Sequence, residues 1–221
     1  MNRLILKYGS PITAVILAVF AWVVYRRVAA HSQIAPLVLA AAVVWVLGTV
    51  AFIYFWPRIT VNGFKRAIVG GGFGGRPVPV NTLYAEPTRS SASASNASLM
   101  GTGTDDVLYV AGWLDLRNGP QVLHVPDMAG RYYSVQLTNP ADGANFAYVG
   151  KRTTGTQAGD FVLSAPGADV VVPTGMGAIA APNPAVLVIG RVFVADESDQ
   201  PAAYALAQQI HVTPFMSQGA D

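Results

Sequence analysis

Residues 107–138, VLYVAGWLDLRNGPQVLHVPDMAGRYYSVQLT, decide the fold of the larger part of this chain. Three runs in it, VLYVAGWL (107–114), QVLHV (121–125) and RYYSVQLT (131–138), are rich in β-branched and aromatic residues. Such side chains fit a pleated, half-buried strand, and Asn118-Gly119-Pro120 and Pro126-Asp127 between them are turn chemistry. The same rhythm continues downstream through NFAYVG (145–150), DFVLS (160–164), DVVV (169–172) and AVLVIGRVFV (185–194). Turns fall at Asn139-Pro140, Ala158-Gly159 and Pro166-Gly167. Short strands at regular spacing predict a mainly β fold, an antiparallel β-sandwich or jelly-roll-like domain. One helix closes it: Asp199 gives the start signal, Pro201 sits just inside, and AAYALAQQI follows. Pro214 ends the pattern.

Upstream of residue 107 the chain changes character. TRSSASASNASLMGTGT (88–104) is small and polar and reads as a loop, so the sequon Asn96-Ala97-Ser98 within it reads as chance. Gly70, Gly72 and Gly75 of GGGFGG have the spacing of a dinucleotide fingerprint, but Arg76-Pro77-Val78-Pro79 cannot open the helix that would meet a pyrophosphate. The glycines therefore read as a hinge. VNGFKRAIV (61–69) suits a short amphipathic helix lying along lipid headgroups.

Residues 34–56, IAPLVLAAAVVWVLGTVAFIYFW, carry no charge. As a helix they extend about 35 Å, enough for a bilayer core of about 30 Å. Tyr54 and Trp56 suit the headgroup level, and Pro57 and Arg58 stop the run. Ile12 to Tyr25 reaches spanning length by starting near Leu4, with Lys7 reaching back to the interface. Arg26 and Arg27 stand where a signal-peptide cleavage site would need small residues, so a transmembrane helical hairpin is expected, with helices over about 4–25 and 34–56 and a turn at 26–33. The expected organisation is a membrane anchor (1–57), a juxtamembrane segment with a glycine hinge (58–79) and a β-rich domain (80–216).

Composition agrees with an anchor: 52% of residues are hydrophobic and only 12% charged, against about a quarter charged in soluble domains. Mean hydropathy is +0.39. A net charge of +2 from scattered residues makes no nucleic-acid-binding stripe. With no cysteine, disulfides, thiolate catalysis and Cys-ligated zinc are excluded. Arg3, Lys7, Arg58, Lys65, Arg66 and Arg76 outnumber Arg26 and Arg27, so charge counting leans toward a cytoplasmic domain.

The block WLDLRNGPQVLHVPDMAGRYYSVQLTNPADGANFAYVGKRTTGTQAGDF, followed by IGRVFVADESDQPAAYALAQQIHVTPF, resembles the domain-of-unknown-function 1254 family over roughly residues 75–215. The resemblance implies a β-sandwich domain, often accompanied by a 1214-family domain that in many bacteria is a separate membrane protein. It implies the split, membrane-anchored form here, in the bacterial inner membrane with the β domain extracytoplasmic, opposite to the charge count. The 1214-family protein and the lipid bilayer are the expected partners. Family members commonly read Asn-x-Asp-Thr-Leu-Tyr-Ser before the first long strand. Asp106, Leu108 and Tyr109 keep that pattern, whereas Thr104, Val107 and Val110 depart from it.

Candidate chemistry is sparse. His31, His124 and His211 are far apart in sequence, and there is no HExxH, paired histidine or GxSxG, so no metal and no cofactor is expected. Lys151-Arg152-Thr153-Thr154-Gly155-Thr156 offers two cations and three hydroxyls for a carboxylate or phosphate, or else a polar hairpin turn. Tyr132, Tyr133, Tyr148 and Trp113 are candidates for an apolar pocket. Asp105, Asp106 and Asp115 are candidates for acid–base work or for turns. The ligand-binding set expected from these readings is Arg152, Thr153, Thr154, Asp106, Tyr109, Trp113 and Tyr148. The function expected is an interaction module for a companion membrane protein. The alternative is a small-anion-binding enzyme with an aromatic-lined pocket.

Overall fold

The computed structural model describes residues 15–16, 18–27, 35–71, 76–89, 104 and 106–216. Two compact units divide the chain, Met1–Trp56 and Pro57–Asp221.

In the first unit residues 18–27 are helical (α1) and the helix α2, Ala35–Gly70, begins. Arg26 and Arg27 still belong to α1 rather than to a turn. The rest of the expected turn, and residues 4–14 of the expected first span, lie outside the described residues. Helix α2 is long and apolar enough to cross a membrane. Most of its side chains between Leu37 and Trp56 are outward-facing apolar groups, Leu37 at 69%, Val44 at 69% and Leu47 at 64% exposure among them. Phe52 stacks on Trp56 one turn later, ring centroids 5.1 Å apart.

Pro57 does not end this helix, contrary to the sequence reading: α2 continues through it to Gly70. Proline removes one helical hydrogen bond and crowds the preceding turn, but packing in the second unit holds the continuation. Val61, Phe64 and Ile68, spaced by three and four residues, share one face, and Val61 and Ile68 are buried. That face packs on a β-sheet rather than along headgroups, which corrects the expectation for residues 61–69. Gly71, with φ +96°, turns the chain beyond the helix. Residues 72–75 of the expected hinge, and 90–103 of the serine-rich loop, lie outside the described residues. The Val78 N–H then returns to the Ile68 carbonyl at 3.0 Å.

Among the described residues nine strands follow: β1 Leu83–Ala85, β2 Val107–Asp115, β3 Gln121–Val125, β4 Tyr133–Thr138, β5 Asn145–Gly150, β6 Gly159–Ser164, β7 Gly177–Ala180, β8 Ala185–Phe193 and β9 His211–Pro214. Helix α3, Gln200–Ala207, precedes β9. One sheet has the order β1-β2-β8-β4-β5 and the other β7-β6-β3-β9. Alternation sends Leu108, Val110, Leu114, Val135, Leu137, Val186 and Val188 of the first sheet into one core with Leu123, Val125 and Leu163 of the second. Helix α3 adds Ala203 and Ala207 to it.

Two expectations fail locally. DVVV (169–172) is not a strand; Val171 is 87% exposed, and the strand is GAIA, eight residues on. This β7 pairs with β6 in parallel, so the sheets are not wholly antiparallel. A parallel neighbour needs a crossover rather than a hairpin, and 165–176 is that connection. Asp199 heads α3 as expected but makes no side-chain cap bond. Its carboxylate instead takes both terminal nitrogens of Arg131, at 2.5 and 2.6 Å, and that guanidinium also donates to the Phe193 carbonyl at 2.7 Å. The ends of β4, β8 and α3 are thereby tied at one point.

Candidate functional site

The face of the first sheet turned away from the core is divided in two by chemistry. Register places Tyr109, Arg191, Ser134 and Gly150 in one row across β2, β8, β4 and β5. The next rows are Ala111, Ile189, Gln136, Tyr148 and then Trp113, Leu187, Thr138, Asn145. The β2 and β8 members are mostly apolar and lie under Val61, Phe64, Ile68 and Val78. The β4 and β5 members are polar, and with Arg191 of β8 they form a connected strip.

Hydrogen bonds in the strip all run one way. Arg191 Nη1 donates to Gln136 Oε1 at 3.4 Å, and Gln136 Nε2 donates to Thr138 Oγ1 at 3.2 Å. Thr138 Oγ1 donates to Asn145 Oδ1 at 2.7 Å, and Asn145 Nδ2 donates to Tyr148 Oη at 2.6 Å. With its oxygen already accepting, Tyr148 has its O–H left to donate, and its side chain is 45% exposed. At the other end Arg191 has five N–H donors in a fixed fork, one of which makes a single long bond. Its guanidinium carbon lies 5.5 Å from the centre of the Tyr109 ring. Among the described residues no carboxylate pairs with it. Both ends of the strip thus offer donors, and the matching ligand is rich in acceptors.

The residues singled out from sequence scatter relative to this strip. Tyr148 ends it and Tyr109, buried on β2, floors the Arg191 guanidinium. Trp113 is buried beside it on the apolar half, with Lys65 Nζ 5.2 Å from its ring centre. Asp106 is exposed at the head of β2, where its carbonyl accepts from the Val194 N–H at 2.8 Å. Asp105 lies outside the described residues.

The 151–156 segment is a turn after β5. Thr153 Oγ1 donates to the Tyr148 carbonyl at 2.9 Å, and Thr154 Oγ1 accepts from the Gly150 N–H at 3.1 Å. Both hydroxyls therefore fasten the turn to its own strand. Exposed Arg152 lies over Tyr132, 5.4 Å from the ring centre, and Lys151 Nζ donates to the Gly130 carbonyl at 2.7 Å. Arg191, Gln136, Thr138 and Asn145 escaped the sequence reading. The available signal was the charge inside VLVIGRVFV, an otherwise apolar strand.

The histidines differ from expectation as well. His124 on β3 and His211 on β9 are register partners and their rings stack with centroids 4.6 Å apart. Asp115, at the end of β2, pairs with Arg117, which holds its carboxyl down at about 2.

A family model described as a protein of unknown function (DUF1254) matches residues 80–214. Among solved structures, a Vibrio parahaemolyticus protein superposes with a TM-score of 0.57 at 22% identity, covering 77% of this chain and 41% of its own. An uncharacterised protein from Burkholderia cenocepacia is 12% identical, with a TM-score of 0.37, covering 100% of this chain and 54% of its own. This chain therefore spans about half or less of the length of either protein, and the first likeness is one of fold. No curated protein matches the chain.

Proposed function

This chain belongs to the DUF1254 family, and from that premise we propose that it is a membrane-tethered binding domain whose ligand carries a carboxylate or phosphate. The observation that carries the reading is Arg191: a partly buried guanidinium braced over Tyr109, with one long hydrogen bond and no carboxylate among the described residues. Charge-assisted, forked contacts to an oxyanion are what such a group makes well. The free O–H of Tyr148 gives the same ligand a second contact on the next-but-one strand.

Tethering rests on the uncharged, outward-facing residues 37–56 of α2, which suit the hydrocarbon of a bacterial inner membrane. The domain then works on the extracytoplasmic side. A single cysteine at exposed Val171, in a chain that has none, tests the side: an impermeant thiol reagent labels it in intact cells, and protection until lysis reverses the assignment.

The ligand is tested on the full chain in detergent micelles, with succinate and inorganic phosphate as probes. Saturating ligand at a hundred times its Kd stabilises the folded state by about 2.7 kcal/mol, read as a rise in Tm. Arg191→Leu abolishes the rise and Arg152→Ala leaves it. Equal loss in both variants, or no rise in the parent protein with either probe, removes the proposal.

A second reading is that the domain acts against a separate membrane protein of the 1214 family; the Vibrio protein of similar fold is longer, and the match covers 41% of it. Crosslinking in native membranes that yields a stoichiometric protein partner independent of Arg191 supports this second reading.

A further inference from the structure

We propose that the outer face of the second sheet carries a nucleophilic acyl-transfer site, with Thr213 as nucleophile, His124 as its general base and Asp160 positioning the base. The three come from neighbouring strands. Asp160 on β6 is the register partner of His124 on β3, and Thr213 lies on β9, two residues beyond His211, the other partner of His124. His124 Nδ1 is 2.7 Å from Asp160 Oδ1, and His124 Nε2 is 2.7 Å from Thr213 Oγ1. An ionised carboxylate only accepts, so in the neutral ring the hydrogen sits on Nδ1. Nε2 then presents its lone pair and takes the hydrogen bond that the Thr213 hydroxyl donates. Hydroxyl to imidazole to carboxylate is the relay that activates a weak oxygen nucleophile, and it is recognised by geometry rather than by sequence spacing.

The surroundings hold this relay in place and leave it reachable. His211 stacks on His124 with ring centroids 4.6 Å apart and 22° between planes, and its own Nδ1 is 2.8 Å from the Gln209 carbonyl. The stack restrains the His124 ring in the plane that contains both of its hydrogen bonds. Val122 is the register partner of Thr213 and shares a face of β3 with His124; it is buried and gives the hydroxyl one apolar flank. The side chains of His124 and Asp160 are 27% and 41% exposed, so a substrate can approach from solvent. The substrate class is an ester. Thr213 Oγ1 bonds to the ester carbonyl carbon as its proton passes to His124 Nε2. The alcohol oxygen leaves with that proton, and the acyl group stays on Thr213. Water then attacks the acyl carbon and gives a proton to His124 Nε2; the carboxylic acid departs as this proton returns to Thr213 Oγ1.

The test exposes the full chain in detergent micelles to para-nitrophenyl acetate, with nitrophenolate release read by absorbance and the acetylated residue located by mass spectrometry. An acetyl group is expected on Thr213. Thr213→Val removes it, and Thr213→Ser keeps an acetyl group at that position. His124→Gln slows acetylation there by about 100- to 10,000-fold, the range of general-base assistance, with circular dichroism reporting an intact fold. In Asp160→Asn the group that fixes the tautomer is gone, so ring-nitrogen NMR shows the hydrogen moved to Nε2 and acetylation slows likewise. Acetylation confined to lysines, or an unchanged rate at Thr213 in either His124→Gln or Asp160→Asn, overturns the proposal.

Discussion

Asp199 and Arg191 are both charges in a domain with few, and their surroundings set them different tasks. The Arg131 guanidinium first, and the Ala195 N–H after it, hold the Asp199 carboxyl down at about 2. An unfolded aspartate titrates near about 3.9, so the folded state favours the ionised form. The stabilisation is complete above that unfolded value and is lost as pH falls through it toward 2. Asp199→Asn accordingly lowers stability by about 2 kcal/mol at neutral pH, as read from denaturant unfolding of the chain in mild detergent. The gap to the parent protein narrows between about pH 4 and pH 2, and a pH-independent gap would mean the ion pair is not its source. Arg191 has no such carboxylate among the described residues, so Arg191→Leu changes ligand response far more than stability.

At the scale of elements, close approach and a shared face make the sharpest predictions. A Cβ on Gly112 would meet the Thr82 carbonyl oxygen and Leu83 Cδ2, each at 2.4 Å. Backbone cannot yield cheaply there, so Gly112→Ala costs about 1–3 kcal/mol and speeds amide exchange in β1. Ile68, fully buried under the second half of α2, costs about 2–5 kcal/mol on truncation to alanine, and exchange over 58–70 rises with it. Most strands were legible because period-two alternation and turn residues mark them locally. GAIA and the edge strands LYA and HVTP were not, since three or four residues give no period to read. DVVV misled because β propensity says nothing of a crossover. The extension of α2 past Pro57 was hidden because its support is tertiary, in residues some fifty and more than a hundred positions away. The anion strip draws one residue from β8 and two each from β4 and β5, and the histidine pair comes from β3 and β9, so no local spacing announces either.

For the whole molecule, the second compact unit begins at Pro57 and includes the last part of α2. A fragment of residues 57–216 is therefore expected to be folded and monodisperse without detergent. A fragment of residues 80–216 leaves Tyr109, Ala111, Trp113, Leu187 and Ile189 without their cover and elutes as aggregate on size exclusion; equal behaviour of the two fragments would contradict the packing. Strand β8 adds a constraint in time. It lies between β2 and β4, which never touch in the sheet, yet it is made last of the three. Until residue 193 has left the ribosome, β2 and β4 each hold an open ladder of backbone donors and acceptors with nothing of their own to fill it. A nascent chain in that condition invites pairing with its neighbours, so its yield in the cell depends on how fast translation covers that interval and on what shields the waiting strands meanwhile.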